Sequence, residues 1–96
     1  MSELKILSVS LAKVQLNVDE TTGETNAVAY DMTEELPFDC YGLYGTDEEG
    51  CSHHLADFET YKDARMRQAD CVAALNSRGG VGSYVEYKDL LWIANR

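Results

Sequence analysis

Leu4 to Val18 is one long run of aliphatic and β-branched residues whose alternation changes phase part-way. Leu7, Val9 and Leu11 mark odd positions, and then Ala12, Val14, Leu16 and Val18 mark even ones. Side chains on a strand alternate between faces, so a one-step change of phase predicts a β-bulge or sharp bend at that point. A strand of this length must also have partners, and the chain supplies three more extended runs. Asp19-Glu20-Thr21-Thr22-Gly23-Glu24 is a polar loop containing a glycine, and Thr25 to Met32 returns from it with Val28, Tyr30 and Met32 in alternation. Glu34-Glu35-Leu36-Pro37 breaks the pattern, because proline offers no N–H to a ladder and restricts the residue before it. Phe38 to Tyr44 and Cys51 to Phe58 are the last two runs, joined by the turn-forming stretch Gly45 to Gly50.

The period then changes. Thr60-Tyr61-Lys62-Asp63 has the form of a capping box, with Thr60 as N-cap. The helix it starts is expected to run to about Asn76, where Ser77-Arg78-Gly79-Gly80 stops it. Its inward face is expected to carry Tyr61, Ala64, Gln68, Cys71, Val72 and Leu75. Ser83 to Glu86 is a second capping-box pattern, and Leu90, Leu91, Ile93 and Ala94 suit a short terminal helix from about Tyr84 or Tyr87, although Val81 to Tyr87 also reads as an edge strand. The expected fold is α+β: one domain spanning residues 1–96, an antiparallel sheet of three to four strands with one or two helices packed on one face.

Charge is distributed very unevenly over this plan. Between Lys13 and Lys62 there is no lysine or arginine, while residues 14–61 hold twelve carboxylates: Asp19, Glu20, Glu24, Asp31, Glu34, Glu35, Asp39, Asp47, Glu48, Glu49, Asp57 and Glu59. The rest of the chain carries eight basic and five acidic residues, so the net charge of −9 arises entirely in the expected sheet. Ordinary surfaces intersperse both signs. A one-signed surface repels itself and favours a cationic partner. It also argues against direct binding to nucleic acid or to an anionic membrane. With 45% hydrophobic residues and six tyrosines the chain is too apolar for a disordered acidic tail. No apolar run approaches the ~20 residues of a membrane span, no secretory leader is legible, and three cysteines are too few and odd for a disulfide scaffold. A small acidic cytosolic domain is the expectation.

Other constellations carry less. Cys40, Cys51, His53, His54 and Asp57 could meet a tetrahedral zinc, but the spacing has no CxxC or HxxxH knuckle, and two adjacent histidines on a strand point to opposite faces. No metal or other cofactor is expected. A thiol nucleophile or an Asp57–Glu59 acid/base pair lacks any orienting group, and Gly79-Gly80-Val81-Gly82 follows a helix and lacks the GK[ST] ending of a phosphate loop. An enzyme is not expected. Tyr30, Phe38, Tyr41, Tyr44, Tyr84, Tyr87 and Trp92 are core or half-buried sheet residues with some capacity to stack on arginine.

In size, in its acidic block from Asp19 to Glu59 and in its sheet-plus-helix plan, the chain resembles small phage-borne anti-CRISPR proteins that act as DNA mimics. The stretch His54-Leu55-Ala56-Asp57-Phe58-Glu59-Thr60, leading into Ala64, Ala69 and Leu75-Asn76, also looks like the strand-to-helix junction of short phage and mobile-element proteins. The resemblance implies a non-enzymatic inhibitor in the host bacterial cytoplasm. It would occupy the basic DNA-binding surface of a CRISPR surveillance complex, such as the type I-F complex, and block target loading. The partner-binding residues expected on this reading are Asp19, Glu20, Glu24, Asp31, Glu34, Glu35, Asp47, Glu48 and Glu49, because loop and hairpin carboxylates project freely. The alternative is an acidic regulatory or adaptor domain, an antitoxin or anti-restriction factor, that neutralises one basic protein.

Overall fold

A computed structural model of the protein describes residues 4–77 and 84–96. Its elements in chain order are β1 (Lys5–Val18), β2 (Thr25–Tyr30), β3 (Cys40–Asp47), β4 (Ser52–Phe58), α1 (Tyr61–Ser77), β5 (Val85–Glu86) and α2 (Tyr87–Asn95). The sheet is antiparallel throughout with order β2-β1-β3-β4, and the short β5 pairs with the start of β1 through Lys5–Glu86 and Ile6–Val85. The α+β class is as expected, and among the described residues the sheet gains a fifth strand. No helix among them is long and apolar enough to cross a membrane.

One core lies between the sheet and the two helices. Ile6 of β1, Leu43 of β3, Leu55 and Ala56 of β4, Cys71 and Leu75 of α1, Val85 of β5, and Leu90 and Ala94 of α2 are buried together, with Val9, Leu11 and Phe58 packed against them. Gly45 is required in this layer, since a Cβ there would lie 2.8 Å from Ile6 Cγ2.

The bulge of β1 is not where the hydrophobic pattern places it. Pairing with β3 runs without interruption from Ser8 to Val14, and the register shifts between Ile6 and Ser8, so Leu7 is the extra residue. The change of phase at Leu11–Ala12 has another cause: the buried side of the strand changes. Val9 and Leu11 pack under the helices, whereas Val14 is buried on the opposite face, beside Gly42, at a site where any Cβ would meet Val14 Cγ2 at 2.8 Å. Beyond Val14 the strand has left β3 behind. Gln15–Val18 and Thr25–Val28 pair only with each other as a projecting two-stranded arm, on which Leu16, Val18 and Val28 are exposed.

β2 ends at Tyr30 rather than Met32, and β3 begins at Cys40 rather than Phe38. Side-chain bonds hold the connection between them out of the ladder. Asp31 Oδ1 accepts from both the backbone N–H and the hydroxyl of Thr33, Lys13 Nζ donates to Glu34 O, and Gln15 Nε2 donates to Pro37 O. β3 in turn runs on to Asp47, so the Gly45–Gly50 stretch contributes a tighter turn than expected, at Glu48–Gly50.

α1 starts as its capping box predicts: Thr60 Oγ1 accepts from Asp63 N at 3.2 Å. Its buried stripe is narrower than expected. Ala64, Cys71 and Leu75 are buried, but Tyr61 and Val72 are exposed. α2 packs beside α1, with Arg67 donating to Ile93 O and Ala74 half-buried. The C-terminal segment proves to be strand and helix in succession. The residue preceding α2 is Glu86, extended at φ −64° and ψ 143°, with no side-chain cap; Ser83 of the expected capping box and the Gly79–Gly82 linker lie outside the described residues.

Candidate partner-binding surface

Strands need apolar or small side chains where they are buried, and turns need groups that bond to exposed backbone. That division sorts the carboxylates of residues 14–61. Only Asp47 and Asp57 stand on strands; the other ten lie in connections. The strands themselves therefore carry little of the negative charge. Charge gathers instead in three turns.

Asp19, Glu20 and Glu24 form the tip of the β1–β2 arm. Asp19 Oδ1 accepts from Thr21 N at 2.8 Å, and Gly23, at φ 74°, closes the turn in a conformation that suits glycine. Asp31, Glu34 and Glu35 lie in the β2–β3 connection and are all exposed. The two bonds from Thr33 hold the Asp31 carboxyl below its ordinary range, side-chain bond first and backbone bond second. Glu48 and Glu49 project from the β3–β4 turn.

Asp47 is the exception and a correction. It is 8% exposed. One carboxylate oxygen accepts from Glu49 N and Cys51 N, both at 2.9 Å, and the other lies 2.8 Å from His53 Nε2. These bonds lower its pKa, with the His53 contact the largest cause. An aspartate whose oxygens are spent on its own hairpin is a turn organiser, and it does not project to a partner.

The register fixes where the turns sit. The arm tip follows Val18, the β2–β3 connection crosses at Lys13–Leu16, and the β3–β4 turn lies beside Ile6. At about 3.3 Å per residue the three groups are strung along β1 with steps of about 16 and 23 Å, within a molecule whose longest extent is 47 Å. Most positive charge lies elsewhere; the exception is Lys13, whose Nζ reaches the β2–β3 connection and donates to the Glu34 backbone carbonyl at 2.8 Å. Arg65 bonds Gln68 and Arg67 bonds Ile93 O, rather than sheet acids. The Lys and Arg ion pairs among the described residues, Lys88–Glu86 and Arg96–Asp70, use acids outside the 14–61 span.

The Cys/His set divides. His53 points toward the helices, to Asp47 and against the Tyr87 ring at 5.7 Å, while His54 is on the open face, 2.8 Å from Asp57. Cys51 is exposed in the turn. Among the described residues no three His, Cys, Asp or Glu side chains form a metal-holding group. The open face does assemble one cluster that sequence reasoning missed: Tyr44 and Cys40 flank Gly42, Asp57 pairs opposite it, and His54 stacks edge-on to Tyr44 at 5.5 Å. The signal for it was a register shift at Leu55, which no local pattern displays. Burial raises the Cys40 and Tyr44 pKa values and the Asp57 charge adds to both. Both groups are thus held in their protonated forms, whereas thiol chemistry needs the thiolate.

No protein family, curated protein or solved structure gives a match to this chain.

Proposed function

We propose that this chain is a non-enzymatic acidic inhibitor of the anti-CRISPR type. It acts as a DNA mimic against the basic DNA-binding surface of a CRISPR surveillance complex, such as type I-F, in the bacterial cytoplasm. One observation carries the reading: the exposed carboxylates of three turns are strung along one strand over about 40 Å, a length comparable to one turn of duplex at about 34 Å, and no described Lys or Arg side chain forms an ion pair with them. Rows of Lys and Arg that normally neutralise phosphates would gain the same counterion-release free energy from these carboxylates.

The contact residues on this reading are Asp19, Glu20, Glu24, Asp31, Glu34, Glu35, Glu48 and Glu49, with Asp47 supporting the third turn from inside. The experiment is inhibition of target-DNA binding by a purified surveillance complex, across a salt series, with Glu20 and Glu24, Glu34 and Glu35, or Glu48 and Glu49 reversed in pairs to lysine. Each reversal should weaken inhibition and flatten the salt dependence by about one logarithmic unit of slope per lost contact. Unchanged inhibition in all three folded variants would exclude mimicry. If the wild-type chain leaves the complex uninhibited, but binds another basic protein with the same sensitivity to reversal, it is an antitoxin or anti-restriction factor using this surface.

A further inference from the structure

The two lateral edges of the sheet are treated differently. On β4 the register shifts at Leu55, and α2 takes up the carbonyls there: Tyr87 donates its hydroxyl to His54 O, and Asn95 Nδ2 donates to Leu55 O at 2.9 Å. A bulge and captured backbone groups are ways in which an edge is closed to further pairing. β2 has neither. Thr25–Tyr30 contains no charge and no proline, keeps register with β1 without a bulge, and is exposed from Thr25 to Ala29. Among the described residues nothing pairs with its outer side.

The ladder fixes which groups that edge presents. Asp19 N donates to Glu24 O at the mouth of the arm, so antiparallel alternation directs Asn26, Val28 and Tyr30 toward β1. Leu16, opposite Ala27, sends its N–H the other way, to Asp39 Oδ2, which fits the same alternation. The N–H and C=O groups of Thr25, Ala27 and Ala29 therefore point outward. Acids flank this row at both ends, Glu20 and Glu24 before it and Asp31 after it.

We infer that the free edge of β2 takes up an extended basic segment of the cationic partner as an added strand, main chain to main chain, with the flanking acids pairing its Lys and Arg residues. This rests on the cationic-partner reading above and names the mode of contact. Strand addition draws affinity from backbone bonds and specificity from the flanking side chains. The charges favour such a segment over a second copy of the chain. A two-fold pairing of β2 with itself about Ala27 would bring Glu24 of each copy toward Asp31 of the other, and like charges across a pair are destabilising.

The test uses the full chain and a capped octapeptide with two lysines at each end of a Thr-Val-Thr-Val centre. Saturable binding should protect the Thr25, Ala27 and Ala29 amides from hydrogen exchange and leave Asn26 and Val28 unchanged. Ala27→Pro removes an outward N–H that β1 does not use. It should weaken binding by about tenfold or more, as should N-methylation of the four central peptide residues, which leaves the protein itself unaltered. Absence of binding, binding indifferent to N-methylation, or self-association of the chain that Ala27→Pro abolishes would each overturn the added strand. Capture by the cationic partner that is lost on Glu20 and Glu24 reversal but unaffected by Ala27→Pro would overturn it as well, while leaving the acidic-mimic reading in place.

Discussion

His54 and Asp57, three residues apart in β4, stand on the same face of the sheet with Nε2 and Oδ1 2.8 Å apart. In a regular strand they would point to opposite faces. The register shift at Leu55 brings them together, and it also turns both Leu55 and Ala56 into the core, at 2% and 5% exposure.

That arrangement predicts an unusual pattern of sensitivity along β4. Leu55→Ala should cost about 2–5 kcal/mol, as truncations of buried leucines do. Ala56→Glu should also be strongly destabilising, because it buries a charge without a partner. His54→Ala removes only a half-exposed pair and should cost less than about 1 kcal/mol. Urea denaturation of the three variants checks this. If only one of Leu55 and Ala56 is sensitive, the strand is regular and the bulge is misplaced.

Asp47 makes the β3–β4 hairpin pH-dependent. Its folded pKa is depressed, first by His53 and then by the Cys51 and Glu49 N–H groups. A depressed carboxyl stabilises the fold at pH above the unfolded value of about 4, and that contribution is lost as pH falls through the folded value. The urea midpoint of the wild type should therefore drop on acidification in this window. Asp47→Asn should start lower at neutral pH and show a shallower drop. Parallel profiles for the two proteins would mean that another group governs acid sensitivity.

The three thiols should separate cleanly under alkylation at mildly alkaline pH. Cys51 is exposed in its turn, Cys40 is half-buried with its thiol pKa raised by burial and then by Asp57 and Asp39, and Cys71 is buried with its pKa pushed up to about 11. A raised pKa leaves less thiolate to react. Mass spectrometry over time should show Cys51 labelled first, Cys40 more slowly, and Cys71 only with unfolding. Labelling of Cys71 at the rate of Cys51 would contradict the packing of α1 on the sheet.

Much of the fold is legible in the residues because its signals are local. Thr60 caps α1 through a bond to Asp63 N three residues away, and the polar stretch from Asp19 to Glu24 closes a turn within itself. The bulges were not legible in the same way. Leu7 and Leu55 are ordinary strand residues, and each becomes the extra one only because of how its neighbour strand is held. Tyr61 and Val72 fit the helical period and are still exposed, Tyr61 lying against the Tyr41 ring at 5.7 Å, while the buried positions of α1 are Ala64, Cys71 and Leu75.

Residue order alone places negative charge and strand-forming residues in one stretch of chain, residues 14–61, with no lysine or arginine inside it. Turns admit carboxylates freely, whereas a buried strand position holds one only when its oxygens are bonded, as those of Asp47 are. Which of these carboxylates are free depends on contacts made in the folded chain. Asp47 and Glu48 are neighbours in the chain, yet one is turned inward onto His53 and the other projects. The same holds for the edges of the sheet. β2 is left open and β4 closed because α2, more than thirty residues further along, folds back onto the carbonyls of His54 and Leu55. Contacts between residues so far apart in the chain have no signature in either local stretch.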